Sequence, residues 1–232
     1  MKQKSQGFSL LEMVVAAAII TTTIGWSIPN YIQSVKQGEV DRYNRAIETG
    51  FQNLQENLRS TRTTCIFKLG SPNTWRSPDE ILEFNSFAQL DVDGNPVLDT
   101  NDNPIIKIEN PERLRCCNSQ LKAQTNEECP TIEQIRQNQN TSQAAKSLRF
   151  MLQQNTPDSR KVEVAVDSST FTMTPPGSNA ETKPLTFMVR SINADENTKL
   201  KARCFRITGS GVLKRGSWID SLQSGYCDFD ER

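Results

Sequence analysis

Six cysteines offer the most evident chemistry in this chain of 232 residues. They include one adjacent pair but no Cys-x-x-Cys spacing, and they are Cys65, Cys116, Cys117, Cys129, Cys204 and Cys227. An even number of widely spaced cysteines is typical of disulfides formed in an oxidising compartment. Free buried thiols are one alternative, and a metal cluster held only by thiolates is the other.

The adjacent pair restricts the pairing of these cysteines. Cys116 and Cys117 are not expected to bond each other, because the geometry of so short a link is strained. We expect them to pair with Cys65 and Cys129, and the sequence does not decide which pairs with which.

The chain contains no histidine. This excludes Ser-His-Asp hydrolysis, Cys-His catalysis and histidine-ligated zinc. We also find no G-x-S-x-G motif and no phosphate-binding loop. The 27 basic side chains balance the 27 acidic ones, which argues against nucleic acid as the main partner. The sequence therefore predicts no enzyme, no catalytic residues and no specific nucleic-acid binding.

One acidic stretch has ligands that could bind a cation. Carboxylate and amide side chains surround a glycine in Asp91-Val-Asp93-Gly94-Asn95-Pro-Val-Leu-Asp99. Calcium binds oxygen ligands of this kind in flexible loops. The stretch lacks the spacing and the distal glutamate of an EF-hand, so two polar turns are the alternative. Calcium at Asp91, Asp93, Asn95 and Asp99 is the one cofactor hypothesis that the sequence offers.

An apolar run over residues 8–28 contains a single charged residue, Glu12. As a helix it would be about 31 Å long, close to the roughly 30 Å of a bilayer's hydrocarbon core. Lys2 and Lys4 precede it, which predicts a cytoplasmic N-terminus and an extracytoplasmic remainder. A secretory signal would have a shorter apolar region and small residues at its end, which Trp26-Ser-Ile-Pro29 does not supply.

Glu12 is costly in such a segment. A carboxylate inside an apolar helix costs about 2.5–3.5 kcal/mol on insertion scales, and such residues are functional by default. A simple signal anchor does not account for it.

The residues around Glu12 resemble a known motif. Gly7-Phe8-Ser9-Leu10-Leu11-Glu12, after a short basic leader, is similar to the cleavage and methylation motif of type IV prepilins and pseudopilins. The resemblance covers about residues 1–60. It implies that a prepilin peptidase cuts between Gly7 and Phe8 and methylates the new amino group of Phe8. It also implies that Glu12 pairs with the Phe8 amine of a neighbouring subunit during assembly, and the alternative is the amine of its own Phe8 within the monomer.

The resemblance has two further implications. Gly25 and Pro29 match the family's helix breakers, at which the helix can kink or melt during filament packing. Cys204 and Cys227 match the disulfide with which many pilins tie the C-terminal segment to the sheet. The alternative is that each of these two pairs with one of the other four cysteines.

These residues must be positioned by a long helix and a sheet. Helical periodicity continues past Pro29 in the apolar residues Ile32, Val35, Tyr43, Ile47, Phe51, Leu54 and Leu58, which predicts an amphipathic helix to about residue 60. A second helix is predicted from Thr131 to about Gln154, with Thr131 and Gln134 as a capping box. Strand patterns lie near 81–84, 105–108, 162–166, 171–173 and 185–189, and in a hairpin around 208–211.

The predicted fold is α+β, with the long N-terminal helix packed on a mainly antiparallel sheet, as in pilins. We divide the chain into a leader at 1–7, a transmembrane and filament-core helix at 8–28, an amphipathic helix at 29–60 and an extracytoplasmic globular domain at 61–232.

The sequence thus predicts a minor pilin of a type IV pilus-like filament. A pseudopilin of a type II-like secretion apparatus is the alternative, and a membrane-anchored extracytoplasmic enzyme or binding protein is the remote one. The expected partners are the prepilin peptidase, other pilin or pseudopilin subunits, the pilus assembly platform and the membrane. The expected location is the bacterial cytoplasmic membrane, followed by the pilus at the cell surface or by the periplasm.

Overall fold

A single helix dominates the N-terminal quarter of the computed structural model. The structure describes residues 9–83, 86–98, 104–108, 110–117, 129–137, 150–151, 156–175, 183–194, 200–219 and 225–229. Helix α1 spans Leu10–Thr61, 52 residues, and continues through Pro29. Its C-cap is Arg62, whose φ of 50° is left-handed and whose N–H donates to the carbonyl of Leu58. The helix predicted from 8 to about 60 is therefore confirmed over the described residues.

The inner half of α1, up to Val35, and the outer half, after Val35, have different environments. The outer half buries one stripe completely, formed at helical spacing by Val40, Tyr43, Ile47, Phe51, Leu54 and Leu58. Ile32 and Val35, which the periodicity assigned to this stripe, are 47% and 40% exposed. The globular domain thus begins to cover α1 between Val35 and Val40.

Among the described residues, ten strands follow in three antiparallel sheets. The three-stranded sheet has the order β4-β1-β6, with β1 at Thr64–Lys68, β4 at Leu114–Cys117 and β6 at Thr170–Met173. A two-stranded sheet pairs β2 at Ser86–Ala88 with β3 at Ile106–Ile108. The five-stranded sheet has the order β10-β9-β8-β7-β5, with β5 at Val162–Val166, β7 at Leu185–Ser191, β8 at Arg203–Ile207, β9 at Leu213–Ile219 and β10 at Tyr226–Phe229.

The five-stranded sheet packs on the outer half of α1 through β7, β8 and β5. Inward-facing side chains of these strands join the stripe of α1 in one core. Aromatic rings fill its centre: the ring of Phe150 lies 5.9 Å from Phe51, 5.6 Å from Phe67 and 5.2 Å from Phe187. Such pairs add to the free energy gained by burying the rings. The predicted α+β class, a long helix on antiparallel strands, is confirmed.

Two predicted elements differ from the structure. Residue 81 belongs to a short helix, α2 at Pro78–Ile81, and not to a strand. Pro78 starts this helix because proline has the φ of a first helical residue. The second predicted helix is observed as α3 at Ile132–Gln137, and its predicted extension through Phe150 and Met151 is wrong, since those two residues are not helical.

The capping box predicted for α3 is confirmed. The N–H of Gln134 donates to the Oγ1 of Thr131 at 3.3 Å, and the N–H of Thr131 donates to the Oε1 of Gln134 at 2.8 Å. These two bonds satisfy donors that the first turn of a helix otherwise leaves unpaired.

Gly50 lets the segment at Phe150 cross α1 closely. A Cβ placed on Gly50 would lie 1.9 Å from the carbonyl oxygen of Phe150 and 3.6 Å from the Cα of Met151. No side chain fits in that space. The absence of a Cβ at Gly50 therefore lets Phe150 reach the centre of the core.

Candidate functional site

The candidate site is the N-terminal end of α1. Gly7 and Phe8, at which we predict cleavage and methylation, lie outside the described residues. Ser9 is the N-cap of the helix. The N–H of Glu12 donates to the Oγ of Ser9 at 3.2 Å, and the N–H of Ser9 donates to Oε2 of Glu12 at 3.2 Å. Ser9 and Glu12 therefore form a reciprocal capping box.

This capping box gives Glu12 a role in the single subunit that the sequence reasoning missed. The signal was present, because Ser-x-x-Glu before an apolar run is the signature of a capping box. A carboxylate near a helix N-terminus is also favoured by the helix dipole. The box holds the Glu12 carboxylate beside the backbone N–H of Ser9, one residue after the position where the mature chain is predicted to begin.

The inner half of α1 leaves its apolar surface uncovered. Its exposed large apolar side chains are Leu10, Leu11, Met13, Val14, Val15, Ile19, Ile20, Ile24, Ile28, Ile32 and Val35. By length and composition, α1 is the one helix among the described residues that could cross a membrane, and none of its most apolar window is buried. An apolar surface of this size marks contact with lipid or with another protein.

Hydroxyl groups inside this apolar segment bond to their own helix. Thr21, Thr22 and Thr23 donate to the carbonyls of residues 17, 18 and 19 at 2.9–3.0 Å. Ser27 donates to the carbonyl of Thr23 at 2.7 Å. These bonds satisfy the polar side chains without water, as an apolar environment requires.

Pro29 has no N–H to donate to the carbonyl of Gly25. The chain is nevertheless helical at both residues. Kinking or melting of this region during assembly stays a prediction from the family resemblance.

Ion pairs fasten the outer half of α1 to the globular domain. Among the described residues they are Glu39–Lys161 at 2.6 Å, Asp41–Arg203 at 2.6 Å, Arg42–Asp158 at 2.9 Å and Glu48–Arg215 at 2.5 Å. Glu39 and Glu48 are only 6% and 7% exposed. A carboxylate with so little exposure to solvent is costly without its cation. These pairs therefore favour one position of α1 relative to the domain.

Two of these pairs shift the pKa of a partner. The hydrogen bond with Glu48 raises the pKa of Arg215. The hydrogen bonds from Arg42 lower the pKa of Asp158. Because the pKa of Asp158 is lower in the folded chain, its pair contributes stability above the unfolded pKa that is lost as the pH falls. Arg42 is largely exposed, so solvent keeps this contribution small.

A buried hydrogen bond ties α1 to the turn after α2. The hydroxyl of Tyr43 donates to Oε1 of Glu83 at 2.9 Å, and both residues are at most 2% exposed. Burial is the main cause that raises the pKa of Tyr43, and the Glu83 charge adds to it. Tyr43 therefore stays a neutral donor at any physiological pH.

The structure pairs all six cysteines. Cys65 bonds Cys116, Cys117 bonds Cys129, and Cys204 bonds Cys227. Cys65 and Cys116 lie directly opposite each other in the register of β1 and β4, which gives the order that the sequence left open. The third disulfide crosses from β8 to β10 over Gly216 of β9, where a Cβ would lie 3.1 Å from the Sγ of Cys227.

We expect non-reducing peptide mapping to find the Cys204–Cys227 link. Trypsin cuts after Arg203 and Arg206, so Cys204 lies on a three-residue peptide that a disulfide would hold to the peptide containing Cys227. Replacing both cysteines by serine should lower the free energy of unfolding by about 2–4 kcal/mol, the typical contribution of such a bond. Finding both as free thiols in protein from the periplasm or the surface would refute this pairing.

The candidate calcium ligands lie in an exposed turn. One carboxylate oxygen of Asp91 accepts the N–H of Asp93 at 2.9 Å and that of Asn95 at 2.8 Å. The bond from the Asn95 backbone is the main cause that lowers the pKa of Asp91. Asp99 lies outside the described residues. Among those that are described, no group of three or more histidine, cysteine, aspartate or glutamate side chains converges as a metal site.

Calcium binding at Asp91, Asp93, Asn95 and Asp99 stays a prediction. If the dissociation constant for calcium is about 1 mM, a calcium concentration of about ten times that constant should stabilise the folded chain by about 1.4 kcal/mol. Thermal melting of the purified chain with calcium and with a chelator measures this shift, and Asp93→Asn should reduce it. Identical melting curves would dismiss calcium.

A comparison with known families bears directly on this N-terminal segment. A sequence model of the prokaryotic N-terminal methylation motif matches residues 2–27. The chain carries the type IV pilin and pseudopilin signature. Neither a curated protein nor a solved structure matches the chain.

The match to the methylation motif extends from the predicted leader through most of the exposed half of α1. It includes Gly7, Phe8 and Glu12, and it ends before Pro29. The ion pairs, the disulfides and the sheet all lie after it. The signature thus concerns processing and assembly, and it leaves the specific role of the globular domain to be argued from other observations.

Proposed function

We propose that this chain is a minor pilin, a structural subunit of a type IV pilus-like filament that assembles through its N-terminal helix. The methylation motif supports a pilin-like or pseudopilin protein processed by a peptidase. One further observation supports assembly through the N-terminal helix. An uncovered apolar half and a buried, ion-paired half belong to the same continuous helix, α1.

That arrangement suits a subunit with two successive environments. In the membrane, lipid covers the apolar half. In a filament, the helices of neighbouring subunits replace the lipid and remove the same surface from water. The outer half is fixed to its own domain by buried carboxylates, so each subunit would carry its domain to the filament surface as α1 enters the core.

A structural role also fits the chemistry of the globular domain. The chain has no histidine, and the buried carboxylates of Glu39 and Glu48 on α1 are engaged in ion pairs with its own domain. The motif itself suggests a structural protein.

We expect mass spectrometry of the mature protein to find a chain that begins at methylated Phe8. Cleavage between Gly7 and Phe8 lowers the mass by the seven-residue leader, and methylation adds one methyl group to the new amine. A strain without the prepilin peptidase is the control and should retain Met1–Gly7. A mature chain that still begins at Met1, or that is cut near Pro29, would contradict the proposal.

Pseudopilins share the N-terminal motif, so processing alone does not distinguish the two roles. A deletion strain scored together for piliation, motility and secretion does. Loss of pili or motility with normal secretion supports a minor pilin, whereas loss of secretion alone would assign the chain to a secretion apparatus.

A further inference from the structure

A groove lies where the exposed half of α1 meets the globular domain. Its volume is about 310 Å³, and it is lined by Asn30, Gln33, Ser34, Gln37, Leu200, Lys201 and Arg203. The four helix residues are spaced three and four apart, so they share one face of α1. Six of the seven lining side chains are polar, which makes this an unusual surface beside an apolar helix.

Hydrogen bonds hold the polar residues of the groove in place, and Lys201 brings a positive charge to it. The side chain of Gln37 accepts the backbone N–H of Lys201 at 2.9 Å and donates to its carbonyl at 3.1 Å. Arg203 is engaged by Asp41 at 2.6 Å and by Ser217 at 2.8 Å. In the part of the chain that the structure describes, the Lys201 ammonium has no ion-pair partner. Lys201 is therefore held by its backbone and presents its charge at the groove.

The position of the groove along α1 corresponds to lipid headgroups. If residues 8–28 span the hydrocarbon, Asn30 lies about 3 Å beyond it and Gln37 about 14 Å, at 1.5 Å per residue. The polar region on each side of a bilayer is about 5–8 Å thick. Asn30 and Gln33 thus lie within the headgroup layer, and Ser34, about 9 Å out, lies at its outer edge. Lys201 is held at Gln37 beyond this layer, so its side chain must extend toward the membrane to reach a phosphate. Tyr31, 72% exposed beside the groove, is a residue type enriched at the membrane interface.

We propose that this groove binds the phosphate of an anionic phospholipid headgroup while the subunit is held in the membrane. Amide and hydroxyl groups of Gln33 and Ser34 would donate to phosphate oxygens, and Lys201 would supply the opposite charge. The contact would fix how the globular domain sits on the membrane before α1 enters a filament. The inference rests on the proposed function, because it requires residues 8–28 to lie in a bilayer.

The experiment uses the full chain purified in mild detergent micelles that contain either phosphatidylglycerol or phosphatidylcholine, with retained lipid counted by native mass spectrometry. Lys201→Gln removes the charge but keeps the backbone bonds to Gln37. We expect it to lower phosphatidylglycerol retention about fivefold, the factor for one basic residue at a membrane surface. Phosphatidylcholine retention should not change.

Lys214→Gln is the matched control. Lys214 is exposed on β9, beside the hairpin whose Gly211 carbonyl accepts a bond from Gln55. Gln55 lies about 38 Å further along α1 than Asn30. This variant should retain phosphatidylglycerol as the wild type does. An equal loss in both lysine variants, or no loss in Lys201→Gln, would overturn the proposal.

Inorganic phosphate distinguishes a lipid from a soluble ligand. Millimolar phosphate should not displace phosphatidylglycerol, and displacement would show that the groove takes free phosphate and overturn the lipid assignment. Processing at Phe8 tests the proposed function separately. A chain with methylated Phe8 and no lysine-dependent lipid retention would remove this inference and leave the pilin role intact.

Discussion

Glu12→Val is expected to leave membrane insertion and leader cleavage intact and to exclude the chain from filaments. Valine makes insertion easier, because the carboxylate is the costly group of the apolar segment, and the junction of Gly7 and Phe8 is unchanged. Assembly would lose the pairing of Glu12 with the Phe8 amine of a neighbouring subunit. A hydrogen bond to a charged group contributes about 1.5–3 kcal/mol, so we expect incorporation to fall about tenfold or more.

The measurement compares sheared filaments with membranes from cells that express each variant. Glu56→Val is the matched control, since Glu56 is an exposed glutamate on the outer half of the same helix, and it should assemble normally. Wild-type levels of Glu12→Val in the filament fraction would show that Glu12 has no role in assembly.

The capping box adds a variant that separates two roles of Glu12. Glutamine at position 12 can still accept the N–H of Ser9, as glutamine does in capping boxes, but it carries no charge. If charge pairing drives assembly, Glu12→Gln should fail as Glu12→Val does. Normal assembly of Glu12→Gln would instead assign the role of Glu12 to capping of α1.

Gly50→Ala should strongly destabilise the globular domain. Alanine favours a helix over glycine by about 1 kcal/mol, yet the new Cβ would lie 1.9 Å from the Phe150 carbonyl. A backbone carbonyl cannot rotate away as a side chain can. Overpacking of a core typically costs about 1–3 kcal/mol, and displacing Phe150 also disturbs its contacts with Phe51, Phe67 and Phe187. The melting temperature should fall by about 2–4 °C for each kcal/mol.

Gly38→Ala makes the same change on the same helix without a clash. The nearest atom to its Cβ would be the Nη1 of Arg42 at 3.5 Å, an ordinary contact. This variant should be as stable as the wild type or more stable, by about 0.5–1 kcal/mol. Thermal unfolding of the two purified full-length variants in the same detergent measures the difference. Equal stability of both would mean that Phe150 does not cross α1 at Gly50.

The sequence predicted the elements whose signals are local. Alternation of valines gave β5, and the Thr208–Gly211 turn gave the hairpin of β8 and β9. The predicted burial of the apolar stripe of α1 was correct from Tyr43 to Leu58. The predicted burial was wrong at Ile32 and Val35, which are exposed. Periodicity shows which face of a helix is apolar, but it does not show where the covering domain begins.

The structural features that the sequence did not predict depend mostly on contacts between distant parts of the chain. Met151 was assigned to the second predicted helix, but neither it nor Phe150 is helical, and their segment crosses α1 at Gly50, which lies 100 positions before Phe150. The order of the disulfides depends on the register of β1 against β4, which a sequence does not reveal. The capping box of Ser9 and Glu12 was readable, but the cost of a carboxylate in an apolar segment had suggested only the Phe8 amine, of the same or a neighbouring subunit, as the partner of Glu12.

The disulfides have a mechanical consequence for a subunit under tension. A pull that peels α1 from its domain reaches Cys65 only four residues after the helix ends, and there the load passes covalently to Cys116. It then enters Cys117 and passes directly to Cys129. The 51 and 12 positions that these bonds bypass would otherwise extend by about 210 Å, at roughly 3.3–3.6 Å per residue. A stretched subunit would therefore keep these two segments closed for as long as both disulfides hold.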